Sequence, residues 1–251
     1  MKNLSVVIIT KNEAKNIAKC LMSVKDISSD IIVIDSGSSD DTEFICKEFS
    51  IKFIQNTFLD YSSQKNFGNT FAKNTYILSI DADEVLSKEL LQSINEISFN
   101  NNDNKSYTFN RLNHHCGKPV RYGGWYPDKK LRIWNKQFGQ WEGEIHEKIV
   151  FKKQPQITHL TGDLLHFTYN SKEEHLAQAA KFSKLNAKSD FQKGKKTNIV
   201  LAYLSSIMRF IVVFFFKFGL LDGKTGFFIA KMTAHATFLR KYELVNLRKN
   251  K

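Results

Sequence analysis

Four short apolar runs, each followed by a stretch with helical spacing, set the architecture of the first hundred residues. Leu4–Ile9 is an almost unbroken β-branched run, the pattern of a strand covered on both faces. Ile31–Ile34, Ile51–Ile54 and Tyr76–Ile80 read as the second, third and fourth strands. Between them Ile17, Leu21 and Val24 recur at helical spacing behind Asn12, taken as the cap. Asp41–Phe49 and Tyr61–Ala72 supply the next two helices, and Ser87 caps a helix running through Ile97. Strands alternating with helices in this rhythm imply right-handed crossovers and an α/β fold with a parallel, doubly wound sheet.

The rhythm then stops. Residues 98–105 are a polar loop, and from Ser106 to about Phe151 short alternating runs rich in Tyr, Trp, Arg and Gly predict antiparallel strands and loops. From Lys172 the sequence reads as helix to the end, broken near Gly194 and at Leu221-Asp222-Gly223. Three segments are therefore expected: an α/β half over 1–100, an antiparallel half over 101–170 and a helical extension over 171–251. With 42% hydrophobic residues, 3 Pro and 12 Gly, the 251-residue chain is neither disordered nor collagen-like. Cys20, Cys46 and Cys116 are odd in number and lack C-x-x-C spacing, which predicts reduced, structural thiols. The net charge of +12 is unevenly spread: residues 1–100 sum to −4 and residues 101–251 to +16. The basic half suits phosphate-rich ligands or an anionic membrane surface.

In an open α/β sheet, ligands sit beyond the carboxyl ends of the strands. Thr10, Asn12 and Glu13 follow the first strand, Asp35–Asp40 the second, and Asp81-Ala82-Asp83-Glu84 the fourth. Asp81 and Asp83, two apart in extended backbone, are expected to point the same way. Two like charges so placed call for a cation, and a hard divalent ion held by one or two carboxylates, waters and substrate phosphates fits.

These motifs carry a family resemblance. VVIITKNE, IIVIDSGSSDDT, SSQKNFGN and SIDADE, in that order, resemble inverting glycosyltransferases of family 2, which use nucleotide sugars on a GT-A fold. YPDKKLRIW, WEGEIHEKI, LLHFTY and GLLDGKTGF are similar to its lipopolysaccharide-core glucosyltransferase branch. The resemblance implies that Thr10, Asn12 and Glu13 line the nucleoside pocket and that Asp35 meets the base, with Ser38 and Asp40 nearby. It puts Lys65 and Asn66 toward the nucleotide or its phosphates, Asp81 near the ribose or sugar, and Asp83 on a Mg²⁺ or Mn²⁺ completed by His166. Gly123-Gly124-Trp125 matches the glycine-containing loop at the donor sugar. Glu147 matches the catalytic base, although His146 stands just before it where many relatives carry an acid, so Asp128 is the second candidate. The implied reaction moves a hexose, glucose first, from a UDP-sugar to a lipid-linked saccharide, on the inner face of the bacterial cytoplasmic membrane.

Two other readings compete. A nucleotidyltransferase or dinucleotide-binding enzyme would need a glycine-rich loop after the first strand, and TKNEAKN has none. A basic membrane or nucleic-acid module accounts for the +16 half but not for the strand-end carboxylates, so no nucleic-acid partner is expected. His114 and His115 are read as loop residues, and Arg121, Lys129, Lys130 and Arg132 as a solvated face or a seat for an anionic acceptor. Ile207–Leu221 is fifteen residues with only Arg209 and Lys217 charged, which predicts a helix too short to span a bilayer but suited to its interface. The N-terminus lacks the features of a signal peptide.

Overall fold

The computed structural model describes residues 3–143 and 147–249, so Glu144, Ile145 and His146 lie outside the described residues. Two compact units emerge, Met1–Arg111 with Asp128–His166, and Leu112–Pro127 with Phe167–Lys251.

The first unit opens with β1 (Leu4–Thr10), α1 (Ile17–Val24), β2 (Asp30–Asp35), α2 (Thr42–Glu48), β3 (Lys52–Gln55), α3 (Tyr61–Thr70), β4 (Tyr76–Asp81), β5 (Glu84–Leu86) and α4 (Lys88–Asn95). It continues through β6 (Lys105–His115), β8 (Lys129–Asn135), β9 (Gly139–Glu142), β10 (Lys148–Phe151) and β11 (Gln156–Tyr169), of which β6 and β11 run on into the second unit. The sheet order is β3-β2-β1-β4-β8-β6-β11-β5. β1 pairs in parallel with β2 and β4, and β2 with β3, as the strand–helix rhythm implies. Beyond β4 the ladders turn antiparallel, starting with β8. The sheet is thus mixed, with a doubly wound parallel half continued by an antiparallel half.

The unbroken apolar runs are explained by burial on both faces. Leu4, Val6 and Ile8 of β1 enter one core cluster with the α1 face Ile17, Leu21 and Val24. Val7 and Ile9 enter the other, with Ile32, Ile34, Ile77 and Trp134. Each such side chain contributes about 1.5–3 kcal/mol when fully buried. Asn12 does not cap α1; it sits at φ 55° in the preceding loop, and Asn16 takes the cap position. Ser87 does cap α4, accepting the Leu90 N–H.

α3 departs from the usual amphipathic helix, because it buries Ser62, Gln64, Lys65 and Asn69. Its apolar packing comes from Phe67, set against the second cluster, and from Gly68, where a Cβ would lie 2.5 Å from Val7 Cγ1 and 2.9 Å from Ile34 Cγ1. The bare glycine lets the helix settle onto β1 and β2.

The second unit holds β7 (Lys118–Pro119), which pairs with the end of β6, and α5 (Lys172–Gln192), α6 (Ile199–Ile211) and α7 (Gly223–Lys249). His114 and His115 belong to β6 rather than to a loop; His115 is buried, with Nε2 3.2 Å from His175 Nδ1. Burial, with His115 alongside, pushes His175 down to about 4. A π-turn (Val212–Phe216) and a 3₁₀ turn (Gly219–Asp222) connect α6 to α7. α5 and α7 are joined by Asp190, which accepts from Arg240 at 2.6 Å and pairs with Lys195 at 2.8 Å. All three cysteines are free.

Two outcomes follow from this packing. Gly68→Ala should destabilise the protein by about 1–3 kcal/mol through overpacking, measured by urea unfolding. The Arg240 hydrogen bond holds the Asp190 carboxyl down at about 2. A lowered carboxyl stabilises fully above its unfolded pKa of about 3.9 and loses that contribution as pH falls through the folded value. Asp190→Asn should therefore be less stable than wild type at neutral pH, and the gap should close between about pH 4 and pH 2 in thermal melts.

Candidate functional site

The loops at the carboxyl ends of β1 and β2 are laced together by the residues that the motifs singled out. Asp35, fully buried, accepts the N–H groups of Gly37 (3.0 Å) and Ser38 (2.8 Å). Gly37, at φ 82°, supplies the left-handed turn this requires. Ser38 Oγ accepts the Asn12 N–H at 2.8 Å, and Asn12 Oδ1 accepts the Ser39 N–H at 2.8 Å. Asp40 accepts the Ala14 N–H at 3.1 Å and also binds Thr42, whose hydroxyl accepts the Glu13 N–H at 2.9 Å. Although desolvation opposes it, these donors hold the Asp40 carboxyl below its usual value. Thr10 Oγ1, at the strand end, is buried without a hydrogen-bond partner among the described residues.

At the end of β4 the two aspartates part company. Ala82 and Asp83 form a turn between β4 and β5, so the extended-backbone alternation does not apply, and each carboxylate has its own partners. Asp81 lies 3.5 Å from Lys65 Nζ and 3.3 Å from Arg132. Burial would raise its carboxyl, but Lys65 and Arg132 hold it well below the usual range. Asp83 Oδ2 instead lies 3.1 Å from His166 Nε2. The β11–β5 ladder creates this proximity, since it pairs His166 with Glu84. Burial would lower the His166 pKa; the hydrogen bond and charge of Asp83 more than offset this and raise it.

Glu84 and Arg132 were not foreseen as partners. Glu84 is fully buried, receives the Asp81 N–H at 2.9 Å, pairs with Arg132 at 2.9 Å and lies 3.5 Å from Arg111. Arg132 is buried too, so it is no solvated face. Antiparallel pairing of β8 with β4 brings Arg132, one residue before the Leu78–Ile133 pair, to the carboxyl end of β4.

Lys65, on α3, is 1% exposed and its Nζ donates to Glu147 Oε1 at 2.9 Å, beneath both carboxylates. Nζ also lies 4.6 Å from the centre of the Trp141 ring. Asn66 spends its side chain on Trp141, donating to its carbonyl (2.8 Å) and accepting its N–H (3.0 Å). Asp128 has both oxygens occupied, one by Arg111 at 2.9 Å and one by Lys130 at 2.9 Å. Asp81 and Glu147 line a cleft of about 510 Å³ with five cations, Arg111, Lys129, Lys130, Arg132 and Lys148.

Gly124 and Trp125 belong to the second unit. There Gly123 and Gly124 have φ of 69° and 82°, and the Gly123 N–H donates to the Lys217 carbonyl at 2.8 Å. Trp125 lies against the stacked Tyr169–His175 pair. Trp134 and Trp141 meet edge to face in the core of the first unit.

The glycosyl transferase family 2 model matches residues 5–163, the span that carries both strand-end loops, the β4 carboxylates and Glu147. The chain belongs to glycosyltransferase family 2. A glycosyltransferase of Rickettsia bellii is 33% identical over 98% of this chain and 87% of its own length. The lipopolysaccharide core biosynthesis glycosyltransferase LpsC of Rhizobium meliloti is 25% identical over 94% of this chain and 92% of its own. The crystal structure of S. aureus TarS 1-349 in complex with UDP overlays on 100% of this chain and 92% of that one at 14% identity, with a TM-score of 0.47. The mixed sheet, with parallel order β3-β2-β1-β4 and an antiparallel continuation, is the GT-A arrangement of this glycosyltransferase.

Among the described residues no three His, Cys, Asp or Glu side chains converge as a closed metal cage. Asp83 is a single carboxylate of the kind that, with phosphates and water, holds a hard cation, and His166 stands 3.1 Å from it.

The buried network yields a stability prediction. Arg132→Ala would leave the fully buried Glu84 with only the more distant Arg111 cation and the Asp81 N–H, and should cost about 3–5 kcal/mol. Arg132→Ala with Glu84→Gln should recover part of that loss, and comparison of urea unfolding midpoints measures both.

Proposed function

We propose that this family 2 enzyme is a metal-dependent inverting transferase that moves a hexose, glucose first, from a UDP-sugar to a lipid-linked saccharide. The reading rests chiefly on one juxtaposition: Asp83, just past β4, meets His166 of β11 at 3.1 Å, while Asp81 and Glu147 share Lys65 on the wall of a cationic cleft. The unpartnered Thr10 hydroxyl and the interlaced loops after β1 and β2 make the nucleoside end. The likeness to LpsC favours a lipopolysaccharide-type acceptor.

Mg²⁺ or Mn²⁺, held by Asp83 and His166, would act as a Lewis acid that neutralises charge on the departing diphosphate. The chain's own residues do the rest. Lys65 and Arg132 fix the Asp81 carboxylate beside the donor. Glu147 takes the proton of the acceptor hydroxyl as its oxygen attacks the anomeric carbon and the bond to the diphosphate breaks, inverting the configuration. Glu147 is preferred to Asp128 because, among the described residues, Lys65 is its one hydrogen-bond partner, whereas both oxygens of Asp128 are held by cations. Lys129 and Lys148, exposed at the cleft, would receive phosphate or carboxylate groups on the acceptor.

Calorimetry of UDP with and without Mn²⁺ is the deciding experiment. Wild type should bind in a metal-dependent way, and Asp83→Asn should weaken that binding by about tenfold or more while its melting curve stays wild-type. Metal-independent binding, or an unaffected Asp83→Asn, would overturn the metal role. Glu147→Gln should keep UDP affinity and lose about 10²–10⁴-fold in turnover of a UDP-hexose. If Asp128→Asn shows that pattern instead, the base is Asp128.

A further inference from the structure

We infer that α6 and the turns after it lie in the headgroup interface of an anionic lipid bilayer, with Phe215, Phe216, Phe218 and Leu221 set among the acyl chains. One side of α6 is occupied within its own unit. Ala202 is fully buried, Ser206 donates to the Ala234 carbonyl at 2.9 Å, and the Tyr203 ring lies 4.8 Å from that of Phe238 on α7. The other side is apolar and uncovered. Val200, Leu204, Ile207 and Met208, at helical spacing, are each more than half exposed, and Phe216 is 73% exposed. An apolar stripe of this length on an exposed helix marks a contact surface.

The tip is built rather than frayed. The Lys217 N–H reaches back to the Val212 carbonyl at 2.8 Å, closing the π-turn, and Phe218 takes a left-handed backbone at φ 55°. Asp222 accepts the N–H groups of Arg121 (3.3 Å) and Tyr122 (2.9 Å), and a Cβ on Gly219 would lie 2.7 Å from the Val213 carbonyl. Phenylalanines presented on such a turn lose little conformational freedom when they insert.

Charge selects the occupant. Residues 193–224 carry five Lys and one Arg against one acid, Asp222, which those backbone N–H groups already engage. Each basic group near an anionic leaflet adds about 1 kcal/mol of attraction. A second copy of this chain would bring the same positive surface against itself, and a polyanion would leave the phenylalanines unused. A bilayer with anionic headgroups answers both features.

The segment lies in the interface and does not cross it. The expectation of a helix too short to span is corrected by the structure: Ile199–Phe216 is one helical stretch of 18 residues with mean hydropathy 2.3, long and apolar enough by itself. However, α7 is bonded along it, through Ser206 and through Lys241 to Ser205, and α7 carries Lys231, Arg240 and Lys241. Crossing would draw those cations into hydrocarbon at about 2.5–3.5 kcal/mol each. Lying flat keeps them at the headgroups.

The test needs neither donor nor acceptor, so it stands apart from the transferase reading. Full-length protein is floated with vesicles of phosphatidylcholine alone or mixed with phosphatidylglycerol. Wild type should float with the mixed vesicles, and at least tenfold less with the neutral ones or at high salt. Phe216→Glu should lose at least tenfold in partition with its melting curve and UDP binding unchanged. Lys195→Gln with Lys196→Gln should shallow the salt dependence. Phe216→Trp should gain fluorescence quenching by lipids brominated on the acyl chains. No flotation, or Phe216→Glu floating like wild type, would overturn the inference. So would retention in cell membranes after an alkaline carbonate wash, which would make the helix a span.

Discussion

The structure turns on a buried exchange of charge at the carboxyl end of β4. Asp81 and Glu84 bring two negative charges into the interior, and Lys65, Arg132 and Arg111 answer them from α3, β8 and β6. Desolvating such groups is costly, and Coulomb attraction offsets it only where the geometry is good and the remaining polar atoms find partners. Here Glu84 also takes the Asp81 N–H, so one side chain closes the β4–β5 turn and anchors the β8 cation. Hydrophobic packing alone would hold the strands together. It would not fix which carboxylate faces which cation, and that is what a site for a charged substrate requires.

A division of labour follows. The residues nearest the two families of loops are largely consumed by one another: Asp35 by its own turn, Asn12 and Ser38 by each other, Asn66 by Trp141. On the proposed reading they would shape the nucleoside end through backbone position more than through free side chains. On the proposed reading the chemistry falls to Asp83, His166 and Glu147, each partly accessible, with Asp83 against His166 and Glu147 against Lys65. Preorganisation of this kind places charge before the substrate arrives, which is where electrostatic catalysis gains most.

How much of this could be read beforehand depends on range. The parallel half was legible because burial on both faces leaves an unbroken apolar run, and β1, β2 and β4 fall where those runs are, whereas β3, at the sheet edge, is only half-buried. Glu84 stood in plain view beside the Asp81-x-Asp83 motif, yet its burial depends on Arg132, 48 residues away and delivered by an antiparallel register that no local pattern encodes. His166 was expected beside Asp83 on the family resemblance alone, and the register that sets their approach is that of β11 on β5. Asn12 misled because an Asn before a helical pattern suits a cap and an αL loop residue equally well. The span of α6 was misjudged since Ser205-Ser206 part Ile199–Leu204 from Ile207 in sequence but not in the helix.

The helical unit carries the opposite design. Where the first unit balances buried charges pairwise, α6 and its turns leave apolar side chains uncovered beside cations that have few acids to meet. Inside a soluble domain such a face would be a liability, because exposed apolar stripes favour self-association. Net positive charge counters that, since two copies repel before their phenylalanines can meet. On the interfacial reading proposed for α6, the same charge would attract an anionic leaflet, where the phenylalanines would then lose water. The two features that make the face unfit for water or for a second copy therefore cooperate at one kind of surface, and a soluble donor with a lipid-linked acceptor is the case in which an enzyme gains from standing there.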